Sequence, residues 1–267
     1  MPKLESFAFA FLSEAQVCQV SPYSAAVISA DTLAALAELK HLQAVFLCGV
    51  KLTLRPAYGN IYDSVPEFGL ALTELHLSAV HDSVLAIIPA AKGLKELHAW
   101  RDFARAPRIG PGEWWEDSAW ETLEELDLVG WAGTQGRPML DHLINSIQTV
   151  QSATPPRFIS LRSVRLMEPF HHRLFMEQIL PTFGGLPQLN SLAFIVWRDR
   201  NFGPAIFSKI SNHTPNLIEL TVGLENEDLN WWPGSMSDYS TALATLPKLR
   251  VLTWNYSPVS DHHSSGN

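Results

Sequence analysis

A short apolar frame, Leu-x-x-Leu-x-Leu, is the sequence feature that most constrains how this chain can fold. Its most regular copy is Leu123–Leu128. Related copies, with other apolar residues at some positions, make nine in all, and they begin at Leu4, Leu42, Leu72, Leu94, Leu123, Leu161, Leu189, Leu217 and Leu249. The starting residues lie 22 to 38 residues apart. Self-similarity with a period of about 20 to 50 residues indicates a stack of similar units.

The frame itself predicts a β-strand. Alternate residues of a strand face opposite ways, so the last two apolar residues point inward and the residue between them points outward. Stretches between frames show helical spacing, the clearest being the apolar stripe Leu140, Leu143, Ile144 and Ile147. Strand, loop and helix in repetition predict an α/β leucine-rich-repeat solenoid of about nine irregular repeats, with a parallel sheet on one side and helices on the other.

The spacing of the frames predicts one domain over residues 1–256. Two long intervals that contain Gly and Pro, residues 101–119 and 225–238, are expected to be insertions. The polar tail, residues 257–267, is expected to be disordered. Neither end shows the polar cap that a repeat stack needs, so we expect a fragment of a longer protein. In the alternative, residues 10–30 fold back as a cap.

Charge and cysteine content limit the classes of partner and compartment. The formal net charge is −8, which argues against nucleic acid and anionic membranes as partners, because both attract basic surfaces. No apolar run reaches the roughly 18 residues that a transmembrane helix needs. Cys18 and Cys48 are too few for a disulfide framework, so a reducing compartment, cytoplasm or nucleus, is expected.

The outward residues of successive strands should stack into columns, since neighbouring strands lie about 4.8 Å apart. Three consecutive copies then bring titratable residues together. The cluster consists of Glu74, His76, Glu96, His98, Glu125 and Asp127, and its column continues to Arg165.

Three interpretations of this cluster remain open. It is a binding patch for a protein partner with a basic segment, because neighbouring carboxylates repel one another and gain from a cation. It is a divalent metal site made by His76, His98 and Asp127. Or it is a solvated sheet face with no ligand, since outward strand positions are polar by default.

Tryptophan is abundant, with nine residues in the chain. Trp114 and Trp115 lie in one predicted insertion, Trp231 and Trp232 lie in the other, and Trp100 falls at or just after a predicted strand. Tryptophan is favoured at binding hot spots because it offers a large apolar area with few rotamers. The five residues are therefore candidate partner-binding residues, with packing of the loops on the protein itself as the alternative.

No enzyme signature is present in the sequence. It contains no Gly-x-Ser-x-Gly elbow, no phosphate-binding Gly-x-x-x-x-Gly-Lys loop and no His-Glu-x-x-His metal motif. The sequence therefore predicts that the chain is not an enzyme and needs no cofactor.

The copies, with their Leu-Pro-x-Leu entries at 186–189 and 246–249, resemble the ribonuclease-inhibitor-like class of leucine-rich-repeat proteins. They look most like the repeat regions of F-box proteins from mushroom-forming fungi. The resemblance implies a horseshoe with the sheet on its concave face and helices on its convex face. It also implies protein recognition, as the substrate-binding half of an F-box-type ubiquitin ligase receptor.

Two departures from that pattern matter. The F-box, which would dock on the ligase adaptor, is absent here, so an adaptor is an expected partner only if an F-box is encoded upstream. The Asn that commonly follows the strand is also missing, and Val50, Val80, Trp131 and Trp197 stand at such positions. The alternative is an orphan repeat scaffold that is unrelated to ubiquitination.

Overall fold

A computed structural model describes residues 4–10, 26–53, 65–78, 84, 87–100, 122–129, 144, 148, 160–170, 172–197, 203–226 and 235–258. The chain divides into two compact units, Met1–Leu161 and Arg162–Asn267. The fold is mixed α/β, and the strands that arise from the frames pair in parallel, as predicted. Whether the repeats make up one domain stays a prediction.

The first unit contains strands at each of its five frames. Its elements in chain order are β1 (Ser6–Ala10), β2 (Ala26–Ser29), α1 (Ala30–Ala37), β3 (Ala44–Cys48), β4 (Val50–Thr53), β5 (Glu74–Ser78), α2 (Ile87–Ala90), β6 (Glu96–Trp100) and β7 (Glu125–Val129). The order in the main sheet is β1, β3, β5, β6 and β7, and every pair is parallel. Each of these strands begins two residues after the first Leu of its frame, so the frame marks the strand start.

A repeated hydrogen-bond arrangement sets the register between copies. The carbonyl oxygen of Glu5 accepts the backbone N–H groups of both Gln43 (2.7 Å) and Ala44 (3.2 Å) in the next copy. The same double acceptor recurs at the carbonyls of Gln43, Thr73, Lys95, Arg162, Asn190 and Ile218. Because one frame position always meets the same position of the next copy, equivalent residues line up across neighbouring strands.

Leucines of the frames form the core of the first unit. The inward strand residues Leu75 and Leu97 are 0% exposed, and Leu126 is 2% exposed. Helix α1 begins at a side-chain cap, because the Ser29 hydroxyl accepts the N–H of Thr32 at 3.1 Å. Each frame leucine that is removed from water contributes about 1.5–3 kcal/mol to stability. Every copy needs the same apolar residues to supply its part of the core, so the frame recurs.

The short parallel pair of β2 and β4 was not predicted from the sequence. Gly49 separates β3 from β4 and has φ of 65°. A side chain would strain this left-handed conformation, which glycine adopts freely. The turn lets the chain continue into β4, whose first residue, Val50, is 0% exposed. At this copy a buried Val in an extra strand therefore stands at the position of the missing Asn.

The second unit contains the remaining four frame strands. Its elements in chain order are β8 (Ser163–Phe170), α3 (His172–Leu174), a π-helical turn (Phe175–Ile179), α4 (Leu180–Gly184), β9 (Ser191–Trp197), α5 (Ala205–His213), β10 (Glu219–Asn226), α6 (Met236–Leu243) and β11 (Val251–Pro258). The strands pair in parallel in the order β8, β9, β10 and β11. Strand β10 continues through Asn226 and α6 begins at Met236, so both ends of the predicted insertion 225–238 belong to regular elements.

The helical segment after β8 widens for one turn before Pro181. The N–H of Leu180 donates to the carbonyl of Phe175, five residues earlier, which is the π-helical spacing. Pro181 has no N–H to donate, and yet the helix continues to Gly184. No helix in the described part of the chain is long and apolar enough to cross a bilayer.

Aromatic rings form much of the core of the second unit. Phe175 stacks on Phe194 with ring centroids 4.0 Å apart. Tyr239 meets Trp254 edge to face at 5.2 Å, and Phe207 stacks against the same Trp at 6.0 Å. Burial raises the pKa of Tyr239. Trp254 thus packs within its own unit.

Gly93 is the clearest test of tight packing between copies. A Cβ at this position would lie 2.8 Å from both the carbonyl carbon and the Cα of Leu70, which are backbone atoms and cannot rotate away. We expect Gly93→Ala to lower the free energy of unfolding by about 1–3 kcal/mol, as overpacking does. Chemical denaturation measures it.

Gly69 provides the matched control, because a Cβ there would meet nothing within 4 Å. We expect Gly69→Ala to leave the stability unchanged or to raise it slightly, since alanine restricts the unfolded chain. Equal stability of the two variants would contradict the packing described for Gly93.

Candidate functional site

The outward residues of β5, β6 and β7 form the candidate site. The register places Glu74 opposite Glu96 and Glu96 opposite Glu125. We call these three residues the acidic row. Two residues further along each strand, and therefore on the same face, His76 lies opposite His98 and His98 lies opposite Asp127. The structure therefore brings the predicted cluster together.

A column of stacked rings runs across β3, β5 and β6. Phe46 stacks on His76 with centroids 4.3 Å apart, and His76 stacks on His98 at 4.2 Å with an interplanar angle of 6°. In-register strands about 4.8 Å apart bring equivalent rings to stacking distance. We call Phe46, His76 and His98 the ring column. Phe46 was not among the predicted site residues, although it holds the same frame position as the histidines.

Asp127 is buried at the end of this column. It is 5% exposed, and its Oδ2 accepts the indole N–H of Trp100 at 3.2 Å. Nδ1 of His98 lies 3.4 Å from the same oxygen. A solvated sheet face is therefore the wrong description for Asp127, because larger side chains from β6 contact its carboxylate. A buried carboxylate needs such hydrogen bonds, since its desolvation is costly.

Each histidine also faces a glutamate of its own strand. Nε2 of His76 lies 2.5 Å from Oε1 of Glu74, and Nε2 of His98 lies 3.9 Å from Oε2 of Glu96. All four side chains are partly exposed, at 20% to 44%. The site thus joins imidazoles and carboxylates on neighbouring strands.

The pKa of His98 is raised above its ordinary value. The hydrogen bond with Asp127 is the largest cause, and burial of the ring opposes it. The negative charges of Asp127, Glu96 and Glu125 add to the rise, because each of them favours the protonated imidazolium.

Basic residues are absent from the strands that make this face. None of the residues of β1, β3, β5, β6 and β7 is Lys or Arg. Lys95 directly precedes β6, and its Nζ lies 3.0 Å from Oε1 of Glu124. The charges on these strands are therefore all negative when the histidines are neutral.

Trp100 adds an exposed apolar surface to the face. Its side chain is 50% exposed, although its indole N–H is held by Asp127. An exposed aromatic ring with a fixed orientation loses little conformational entropy on binding, so it suits a contact with a partner.

The side chains whose atoms lie close enough together to hold one metal ion differ from the predicted set of His76, His98 and Asp127. Glu96, His98 and Glu125 each offer a ligand atom, and these atoms all lie within 4.8 Å of one another. His76 pairs with Glu74 instead, and Asp127 bonds to His98 and Trp100.

Arg165 and the paired tryptophans complete the set of predicted site residues. Arg165 is an exposed residue of β8 in the second unit, where it pairs in register with Ala193. The paired tryptophans of the predicted insertions lie outside the described residues, and they are Trp114, Trp115, Trp231 and Trp232.

No protein family's sequence profile matches the chain. One similar curated protein is a UDP-N-acetylmuramoylalanine--D-glutamate ligase from Synechococcus sp. (strain CC9605). It is 24% identical over 104 residues, which covers 32% of this chain. The match spans 23% of the ligase's length.

This similarity to part of an enzyme contradicts the prediction that the chain is not an enzyme, and that prediction is corrected. The prediction rested on missing local motifs. Such motifs are an incomplete guide, because a site can be assembled from residues far apart in the sequence.

The raised pKa of His98 makes a prediction for stability. A folded-state pKa above the unfolded value of about 6.5 means that the pairing stabilises fully below that pH and is lost as the pH rises through the raised pKa. We therefore expect His98→Gln to lower the free energy of unfolding more at about pH 5.5 than at about pH 8.5. Urea unfolding with a chelator present measures the difference.

The exposed His41 supplies the control for this experiment. His41→Gln reports the background effect of removing a histidine at each pH. An equal loss of stability at both pH values for His98→Gln would contradict the interaction with Asp127.

Proposed function

We propose that the chain is a leucine-rich-repeat solenoid whose first unit recognises a basic segment of a protein partner. The acidic row is the observation that carries this proposal. Glu96 lies directly opposite Glu74 on one neighbouring strand and directly opposite Glu125 on the other. Glu125 is exposed, and Glu74 and Glu96 are partly exposed, so a partner can reach them.

The acidic row has an electrostatic cost without a ligand. Like charges directly opposite each other on paired strands are destabilising. Two unit charges about 4 Å apart interact by about 1 kcal/mol in water and by more near a protein surface. A Lys or Arg side chain between two of the glutamates turns this repulsion into attraction. Arg can also bond to a carboxylate through two N–H groups.

Trp100 extends the proposed contact along β6. It follows Glu96 by four residues, which corresponds to about 13 Å along a strand. A partner that covers both ends of this strand would place a cationic group at the acidic row and an apolar group on the indole. The indole contact would resist salt, and the ionic contacts would weaken as salt screens them.

The proposed cellular role rests on the resemblance to fungal F-box proteins. In that role the sheet is the concave face of a horseshoe, and the chain is the substrate-binding half of a ubiquitin ligase receptor. The alternative is an orphan scaffold with no link to ubiquitination. The gene sequence upstream of Met1 distinguishes them: an F-box in frame supports the receptor, and its absence supports the scaffold.

Peptide binding tests the recognition of a basic segment. The probes are fluorescent peptides of equal length that are rich in Lys and Arg, or neutral, or acidic. We expect the basic probes alone to bind to the full chain, with an affinity that falls as salt increases. We expect Glu96→Gln/Glu125→Gln to weaken this binding by about 5- to 30-fold, which corresponds to one or two kcal/mol. Fluorescence anisotropy measures both effects.

A variant with the same loss of charge elsewhere is the control. Glu38 and Glu67 are exposed and lie outside the strands of the face. We expect Glu38→Gln/Glu67→Gln to bind the basic probes like the wild type. If both double variants bind alike, the acidic row is not the recognition site.

A further inference from the structure

Glu96, His98 and Glu125 bring together three potential metal-donor atoms, and the imidazole among them distinguishes this group from a patch of surface acids. Their ligand atoms lie within 4.8 Å of one another, and one of the three is an imidazole nitrogen. An exposed carboxylate pair alone is common on protein surfaces. A nitrogen ligand beside two carboxylates is a donor set that suits Zn²⁺ and similar ions, whereas Ca²⁺ and Mg²⁺ prefer oxygen alone.

His98 is held in the orientation that a metal ligand requires. Its Nδ1 faces the carboxylate of Asp127 at 3.4 Å, and its Nε2 faces Glu96 at 3.9 Å. When Nδ1 carries the proton and donates a hydrogen bond to Asp127, the lone pair of Nε2 is left on the side of Glu96. A carboxylate behind a histidine is the usual outer support of a metal-bound imidazole, because it fixes the tautomer and the ring orientation.

Two further contacts fix this support. Asp127 is 5% exposed and accepts the indole N–H of Trp100, so the carboxylate that orients His98 is itself held. On the other side, His76 stacks on the ring of His98 at 4.2 Å. The imidazole is therefore positioned before any ion arrives, which lowers the cost of binding.

The strands place the two glutamates on the same face as His98. Glu96 and His98 are two residues apart on β6, and Glu125 lies opposite Glu96 on β7. Bonds from Zn²⁺ to carboxylate oxygen and to imidazole nitrogen are about 2.0–2.2 Å long. Glu125 is exposed, so its side chain can rotate inward to close the set around an ion.

We propose that Glu96, His98 and Glu125 bind one divalent transition-metal ion such as Zn²⁺. Asp127 and Trp100 act behind the site as positioning residues. Three protein ligands leave at least one coordination position for water or for a donor atom of another molecule. This proposal goes beyond recognition of a basic segment, and it is tested with the metal alone.

Isothermal titration of the full chain with Zn²⁺ tests the proposal. His262 and His263 are adjacent in the tail and can bind zinc by themselves, so all variants are also measured with both replaced by Ala. We expect one ion per chain at the site in this background. We expect His98→Ala and Glu125→Gln each to weaken binding at least about tenfold, and Glu125→Gln alters only an exposed side chain.

The variant Asp127→Asn distinguishes zinc binding at an oriented His98 from unspecific attraction of zinc to acidic side chains. Asp127 is not a proposed ligand, yet we expect Asp127→Asn to weaken zinc binding by about 10- to 100-fold, because an amide no longer holds the Nδ1–H tautomer. His41→Ala, at an exposed position outside the cluster, is expected to bind zinc like the parent chain. Thermal unfolding of each metal-free variant checks that it is folded.

Two results would overturn the proposal. One is the absence of zinc binding in the chain that lacks the tail histidines. The other is equal zinc affinity for His98→Ala, Asp127→Asn and His41→Ala, which would leave only unspecific attraction to acidic side chains.

Discussion

The carbonyl that accepts two N–H groups from the next copy is the interaction on which the structure depends. It recurs at the second frame residue in both units, for example at Thr73 and Asn190. Hydrogen bonds of this kind contribute only about 1 kcal/mol each. Their structural effect is larger, because they allow one register between neighbouring copies. A slip of one residue would turn every leucine of a strand away from the core.

The register has a consequence for polar residues as well as for leucines. A single polar side chain on a strand is solvated and carries little information about function. The same side chain repeated in the next copies is forced next to its equivalents. Glu74, Glu96 and Glu125 repel one another for this reason, and His76 and His98 stack for the same reason. The face of the first unit therefore has neighbouring carboxylates and stacked imidazoles that no single copy could provide.

The frame predicted the strands and the residues that share a row, because leucine burial and strand alternation are local properties. It did not predict the short pair of β2 and β4, which depends on the left-handed turn at Gly49. It predicted that Asp127 points outward and left open whether solvent, a metal ion or a partner covers it, whereas the structure buries it under Trp100 and His98. Side-chain cover depends on the sizes of neighbours on other strands, which the spacing of leucines does not report. The same limit applies to the proposed metal ligands, since the choice between Asp127 and Glu125 depends on side-chain conformation.

The spacing of the glutamates in the acidic row favours one conformation of the proposed basic segment over another. Its glutamates are repeated across the strands at about 4.8 Å, the distance between paired strands. An extended peptide laid across the strands presents a side chain to the face only at every second residue, about 6.8 Å apart. A helix in the same direction presents one about every 5.4 Å, once per turn. The spacing of the row is therefore closer to that of basic residues on consecutive turns of a helix than to that of basic residues on an extended segment. The difference in position between basic residue and glutamate increases with each further glutamate that is contacted.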